Sequence, residues 1–337
     1  MLSNINRVFP VVIFLMIYSI ARCQDIKILT QGTKTSLRGL SPVSDRVIWA
    51  SGSSGYVGLS VDGGRNWNWK QVKGYEKTEF RDIEAFDDKT AVIMGITEPA
   101  VILRTTDAGK NWKLVYTDTT KGCFFDAMDF FNNGSGIVIG DPLDRRIYLA
   151  KSNNAGKSWA VLPPGSRPFI DSGEACFAAS GTNVMQTAKA ETVFITGGVS
   201  SYFYKKDQRV KLPLLQGGET KGANSIAIKD KNYMVVVGGD FMQKEDRTGV
   251  CAYTRNGGKT WQTPVTTCYG YRSCVAWLGK DTWIACGLTG IDISVDGALH
   301  FRNISNEGFN ICKRARNGKQ VFFAGSNGRI ATMNINN

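Results

Sequence analysis

A short pattern, Ser/Thr-x-Asp/Asn-x-Gly-x-x-Trp, recurs along the 337-residue chain and limits its fold more than any other feature. It reads Ser60-Val-Asp62-Gly-Gly64-Arg-Asn-Trp67, Thr105-Thr-Asp107-Ala-Gly109-Lys-Asn-Trp112, Ser152-Asn-Asn154-Ala-Gly156-Lys-Ser-Trp159 and Thr254-Arg-Asn256-Gly-Gly258-Lys-Thr-Trp261. A weakened copy is Ser294-Val-Asp296-Gly-Ala298-Leu-His300-Phe301. The closing aromatics lie 45, 47, 102 and 40 residues apart, so the long gap holds two units. A repeat of about 45 residues is one supersecondary unit that buries its apolar face only against its neighbours. Within each copy Asp or Asn accepts backbone hydrogen bonds in a tight turn, Gly supplies the positive φ, and Ser or Thr caps it. The Trp then opens the next strand and packs inward.

A second column marks the same units. Apolar runs ending in glycine close at Gly52, Gly95, Gly140, Gly197, Gly238, Gly287 and Gly325, which makes seven. Another short strand precedes most of them, with Leu40, Ile83, Met128, Ile226, Cys274 and Cys312 at the matching position and Cys176 taking that place in the fourth unit. The fourth unit carries extra residues around Ser180 to Glu191 and a degraded turn near Lys205 to Arg209. The seventh, from Phe309, has room for three strands, and Asp25 to Thr33 offers the missing one. The chain therefore predicts a circular, all-β, seven-bladed β-propeller of four-stranded antiparallel blades closed by its N-terminal strand, a single domain over 24–337. Six blades are the alternative if the fourth unit is only an insertion.

The repeated turn resembles the Asp-box, or bacterial neuraminidase repeat, of sialidases, of the luminal domain of sortilin and of photosystem II assembly factor-like propellers. That resemblance implies that Asp62, Trp67, Asp107, Trp112, Asn154, Trp159, Asn256, Trp261 and Asp296 are structural, because the box is a hinge on the outer strands in those families. It identifies a fold and not a reaction. Gly140-Asp141-Pro142 and Phe177-Ala-Ala-Ser-Gly-Thr182 further resemble exported propellers of Bacteroidetes-type bacteria, some of which are described as oxidoreductases.

Residues 1–23 carry an early Arg7, an apolar run from Val8 to Ile20 and the small pair Ala21 and Cys23, which reads as a secretory signal peptide. A retained anchor helix and lipidation of Cys23 are the alternatives. After cleavage no stretch approaches 18 apolar residues, so an exported chain without a transmembrane segment is expected, in periplasm, at the cell surface or secreted. The formal charge of +12 drops by two on cleavage. The remaining excess is scattered, which suits polyanionic surfaces in general without a specific nucleic-acid motif. Seven cysteines remain, with no Cys-x-x-Cys spacing to support zinc or thioredoxin-like chemistry. Cys274 with Cys286 and Cys251 with Cys268 are the pairs that a disulfide could join, while Cys176, Cys274 and Cys312 read as buried thiols. The single His300 excludes His-rich metal sites, and its place in the decayed fifth turn makes it a turn residue. Neither metal nor cofactor is expected. The Asn133 and Asn303 sequons read as incidental turns.

Two positions before the aligned apolar column stand Arg38, Arg81, Asp126, Glu174, Asn224, Arg272 and Asn310. Strand alternation places this polar set at one mouth of the central channel, on the face opposite the repeated turns. Loops on that face add Asp141, Arg167 and Asp240. Arginine forks pair bidentately with carboxylates, sulfates or phosphates, so Arg38, Arg81, Asp126, Asp141, Arg167, Glu174, Asp240 and Arg272 form the candidate ligand- or partner-binding set. The bland reading is a self-satisfied polar network lining a wet channel.

These residues are consistent with a noncatalytic binding or assembly module, which is also what the resemblance to photosystem II assembly factor-like propellers implies. Its partner would be an envelope protein, an anionic glycan or a small anion, and closed sheet edges leave a monomer sufficient. A sialidase-type hydrolase is the alternative, with Tyr271 as nucleophile, Glu174 and Asp126 or Asp141 as carboxyls, and Arg38, Arg81 and Arg272 as a carboxylate clamp. The Arg-Ile-Pro signature of those enzymes is absent; Arg167-Pro168-Phe169 differs from it. An oxidoreductase is less favoured, since no Gly-x-Gly-x-x-Gly stands between a strand and a helix to hold a dinucleotide.

Overall fold

The computed structural model describes residues 25–96, 98–131, 134–187 and 191–335. The expected signal peptide and the Asn133 sequon lie outside the described residues. The described chain closes into seven antiparallel sheets arranged as the blades of a propeller, which excludes the six-bladed alternative. Blade 1 runs outward through Leu37–Pro42, Ile48–Gly52, Tyr56–Ser60 and Asn68–Gln71. Blades 2, 3 and 6 repeat that order from inner strands Phe80–Ala85, Phe125–Phe130 and Cys274–Gly279. Burial explains the sequence pattern. The second strands Ile48–Gly52 and Ala91–Gly95 are buried at every residue because both faces meet a neighbouring blade, so they read as continuous apolar runs. In the outermost Asn68–Gln71 the polar Asn68, Lys70 and Gln71 face solvent, while Trp69 folds back against the blade.

Blade 7 is closed as the sequence predicts. Its three C-terminal strands, Ile311–Arg314, Gln320–Ala324 and Ile330–Asn334, receive the N-terminal Lys27–Thr30 as their outer antiparallel strand. This joins the two ends of the chain in one sheet. All seven cysteines of the described chain are buried free thiols; Cys274 and Cys286 face each other across a strand pair without a disulfide.

The fourth unit departs from the expectation. The inner strand of blade 4 is Val184–Gln186, eight residues beyond Cys176. Glu174–Ala175 instead pairs with Gly197–Gly198 and extends the inner edge of blade 5, whose own inner strand is Lys221–Ile228. Residues 177–183 are thereby left to cross the channel. The outer strand of blade 5 is reduced to a bridge between Tyr253 and Gln262.

The five repeated turns adopt one hydrogen-bonded form. In the first, Ser60 Oγ donates to Asp62 Oδ1 (2.9 Å) and accepts the Gly64 N–H (2.9 Å), while Asp62 Oδ1 accepts the Asn66 N–H (3.0 Å). Thr105, Ser152, Thr254 and Ser294 repeat the caps at 3.0–3.1 Å from the N–H four residues on. His300 is the Asn66 counterpart of the fifth turn, its Nδ1 2.7 Å from Asp296 Oδ2, so it is a turn residue as read. The closing aromatics pin blades together. Trp112 of blade 2 meets Trp49 of blade 1 edge-on at 6.3 Å, and Trp261 of blade 5 meets Phe203 of blade 4 at 5.2 Å.

Candidate functional site

Each inner strand starts at the mouth opposite the repeated turns, and in four blades it starts with a β-bulge. The pairing skips one residue between Leu37 and Gly39, Phe80 and Asp82, Phe125 and Ala127, and Ala223 and Ser225. The skipped residues are Arg38, Arg81, Asp126 and Asn224. A bulge leaves its extra residue out of the ladder and re-aims the side chain, here into the channel mouth. The glycine column is the other half of this device. A Cβ on Gly140 would stand 2.2 Å from the Phe124 carbonyl oxygen, and one on Gly238 would stand 1.9 Å from that of Gly222. Only glycine admits the carbonyl that the bulge pushes against the second strand.

These four residues, with Asn310 and Asp141, line a cavity of about 480 Å³ at the mouth. Its wall adds Phe124, Phe177, Phe241, Tyr271 and Leu288; Phe241 and Leu288 are exposed at the rim. Its floor is the crossing segment. Arg38 Nη1 donates to the Ala179 carbonyl (2.9 Å) and Arg81 Nη1 to that of Ala178 (3.2 Å). From the other side Ser180 Oγ donates to Ser273 O (2.7 Å), and Thr182 Oγ1 donates to Ser225 Oγ (2.7 Å). A segment from blade 4 thus touches blades 1, 2, 5 and 6, which places it on the propeller axis.

The two mouth arginines differ. The Arg81 guanidinium is forked onto Glu79 through Nε (2.9 Å) and Nη2 (2.7 Å). Arg38 is half-buried and, among the described residues, has no carboxylate within ion-pair distance. Burial first, and then the charge of Arg81, lowers its pKa from the usual arginine value. Asp126 is buried, and neither of its oxygens has a hydrogen-bond partner among the described residues. Burial, with Asp141 beside it, raises its pKa well above the usual carboxylate value. Burial also raises Asp141, whose Oδ1 accepts the Cys176 N–H at 3.2 Å.

Four of the candidate residues stand apart from this cavity. Arg272 is fully buried, with Nε on Asp292 (2.7 Å), Nη1 on Thr289 Oγ1 (2.8 Å) and the Tyr271 carbonyl (2.9 Å), and Nη2 on the Tyr269 carbonyl (3.2 Å). Glu174 is buried under Thr196 Oγ1 (2.5 Å), Tyr204 OH (2.6 Å) and Arg209 Nη2 (3.0 Å). Arg167 lies on a side groove with Pro168, Phe169 and Arg209. Asp240 is buried and accepts the Met242 N–H (2.9 Å) in a turn. Tyr271 OH is spent on Asn224 Oδ1 (2.9 Å). The three-arginine clamp of a sialidase-type site is therefore not assembled: Arg272 is closed off, Arg81 is committed to Glu79, and Arg38 alone keeps unmatched charge. The crossing segment was missed in the sequence; its signal was the surplus length of the fourth unit together with the small residues Ala178-Ala179-Ser180-Gly181.

The chain is similar to three solved propellers. Superposition gives a TM-score of 0.67 with YCF48 bound to D1 peptide, at 15% identity over 92% of this chain and 97% of that one. YCF48 from Cyanidioschyzon merolae gives 0.64, at 17% identity over 92% and 98%. The Pan2 WD40 domain of Neurospora crassa gives 0.62, at 11% identity over 90% of each. No curated protein sequence matches the chain. Residues 200–334, less than half of the chain, match the family of the Rax2 C-terminal β-propeller domain. At these identities the structural likeness establishes the β-propeller fold.

Proposed function

We propose that the protein is a noncatalytic binding module, exported and built as one propeller domain, that docks an acidic protein segment at the arginine-bearing mouth. The observation that carries this reading is Arg38: a half-buried guanidinium at the cavity wall with, among the described residues, no carboxylate within ion-pair distance and a second cation, Arg81, beside it. A ligand carboxylate would relieve both the desolvation and the repulsion. The apolar rim of Phe241 and Leu288 suits a protein chain better than a sugar, and the similar YCF48 was captured with a peptide. The polar mouth offers a place to bind and little to react with, because Asp126 is covered and Tyr271 is hydrogen-bonded to Asn224.

The test compares crosslinked partners of the unaltered protein from its native envelope with those of Arg38→Glu, after both are shown to melt alike. Partners that also bind the purified protein should weaken by about tenfold to a hundredfold in the variant, the span of one charge-assisted hydrogen bond. Identical partners and affinities would overturn the reading. Arg272→Ala has no place in this test, since it would strand Asp292 in the core.

A further inference from the structure

The channel has a second mouth, on the face of the repeated turns. Three residues along from Arg38, Arg81 and Asp126, the same inner strands deliver Ser41, Glu84 and Asp129 to a cavity of about 540 Å³. Gly181 and Thr182 of the crossing segment form its floor, so the two cavities lie back to back with that segment between them. Its wall is apolar and half-exposed, with Phe130, Phe131, Met185 and Trp277. Blade 7 supplies a cationic edge of Lys313, Arg314 and Arg316.

The charges of this edge are not balanced. Lys313 Nζ is 2.5 Å from Glu84 Oε1, and Arg316 Nη2 is 3.7 Å from Oε2 of the same residue. Arg314 donates only to backbone carbonyls, of Leu278 (2.8 Å) and Gly318 (3.4 Å), with no carboxylate in ion-pair distance among the described residues. Among the described residues, one carboxylate, Glu84, is thus within ion-pair distance of two of the three cations, and Arg314 has none. Asp129 and the deeper Asp82 also face Lys313 and Glu84, and burial raises the pKa of both. The volume lies in the range of small-molecule sites, and an apolar wall with a few convergent polar groups is their usual make-up.

We propose that this far mouth binds a small amphipathic anion, its carboxylate or sulfonate head on Arg314 and Arg316 and its apolar body on Phe130, Phe131, Met185 and Trp277. The proposal stands apart from the reading of the near mouth, because it shares no side chain with it. The probe is 8-anilinonaphthalene-1-sulfonate, titrated by fluorescence into the folded protein and displaced with dodecanoate or 1-dodecanol. One saturable site is expected, with dodecanoate displacing the probe at least ten times better than the neutral alcohol. Arg314→Gln/Arg316→Gln should weaken it by about tenfold or more, and Arg38→Ala should leave it unchanged. Ala276→Trp, which fills the cavity from its wall, should abolish it without touching a charge. Equal displacement by the alcohol, or a saturable site that survives Ala276→Trp, would overturn the proposal.

Discussion

At the scale of single residues, burial in the central channel raises the pKa of Asp82, Asp126 and Asp129. Asp129 accepts the Gln186 N–H at 2.6 Å and sits among Glu84, Asp82 and Lys313; burial, and then Glu84, push its pKa up to about 7. A carboxyl raised in the folded state binds its proton over a window in which the unfolded chain has lost it. Stability from this residue therefore falls as pH rises from about 4 to about 7 and is flat above that. Asp129→Asn keeps an acceptor for Gln186 and removes the titration. Chemical denaturation at pH 5 and pH 8 should show the variant gaining on the unaltered protein at pH 8 and losing that advantage at pH 5. An equal difference at both pH values would contradict the assignment. Arg272 and Asp292 are the opposite case, two buried charges matched to each other so that neither is free for a ligand.

At the scale of elements, the recurring unit is an inner strand with a bulge at its start and a glycine on the second strand opposite. The bulge aims a polar side chain into the mouth, and the glycine makes room for the carbonyl beneath it. Gly238→Ala should cost at least about 2 kcal/mol, the scale of forcing atoms into a packed core, and should disturb Asn224 and Tyr271 before the distant turns. A melting curve with tyrosine fluorescence reads both effects; a neutral substitution would mean that the carbonyl moves freely. This device was legible in part. The glycine column and the polar position stand at constant spacing, which is why Arg38, Arg81, Asp126 and Asn224 could be placed at one mouth from the sequence. The same spacing pointed to Glu174 and Arg272, yet both are withdrawn. Their partners, Tyr204 and Arg209 for the first and Asp292 for the second, stand on neighbouring strands of the same units, and the repeat spacing does not record which of those strands aims an acceptor or a cation back at the mouth.

At the scale of the whole molecule, the ring depends on a strand donated from the other end of the chain. Lys27–Thr30 completes blade 7, and Leu29 packs over Gly64 of the first repeated turn, so it also ties blade 7 to blade 1. Leu29→Asp should lower the melting temperature by several degrees, since in a domain of this size each kcal/mol shifts it by about 2–4 °C. Protease cleavage near Thr30 should speed up in the same variant. An unchanged melting curve would mean that the seventh blade stands on three strands.

The periodic signals, a turn every 45 residues or so, seven glycine-ended apolar runs and a leftover N-terminal strand, pointed to seven blades closed by the N-terminal strand, and the structure then excluded the six-bladed alternative. They reached that far because each reports on contacts inside one unit or between adjacent units, where sequence distance and spatial distance agree. The contents of the channel obey no such relation. Residues 177–183 matched the spacing of an inner strand through Cys176, but they instead cross an axis that exists only once all seven blades have closed around it. There they meet Arg38, Arg81, Ser225 and Ser273, residues up to 141 positions away. Arg81 and Arg272 are matched by acids of their own units, Glu79 two residues away and Asp292 in the same blade, whereas Arg38, among the described residues, meets only the Ala179 carbonyl that the crossing segment brings to it, because a buried guanidinium takes whatever acceptors the closed ring offers.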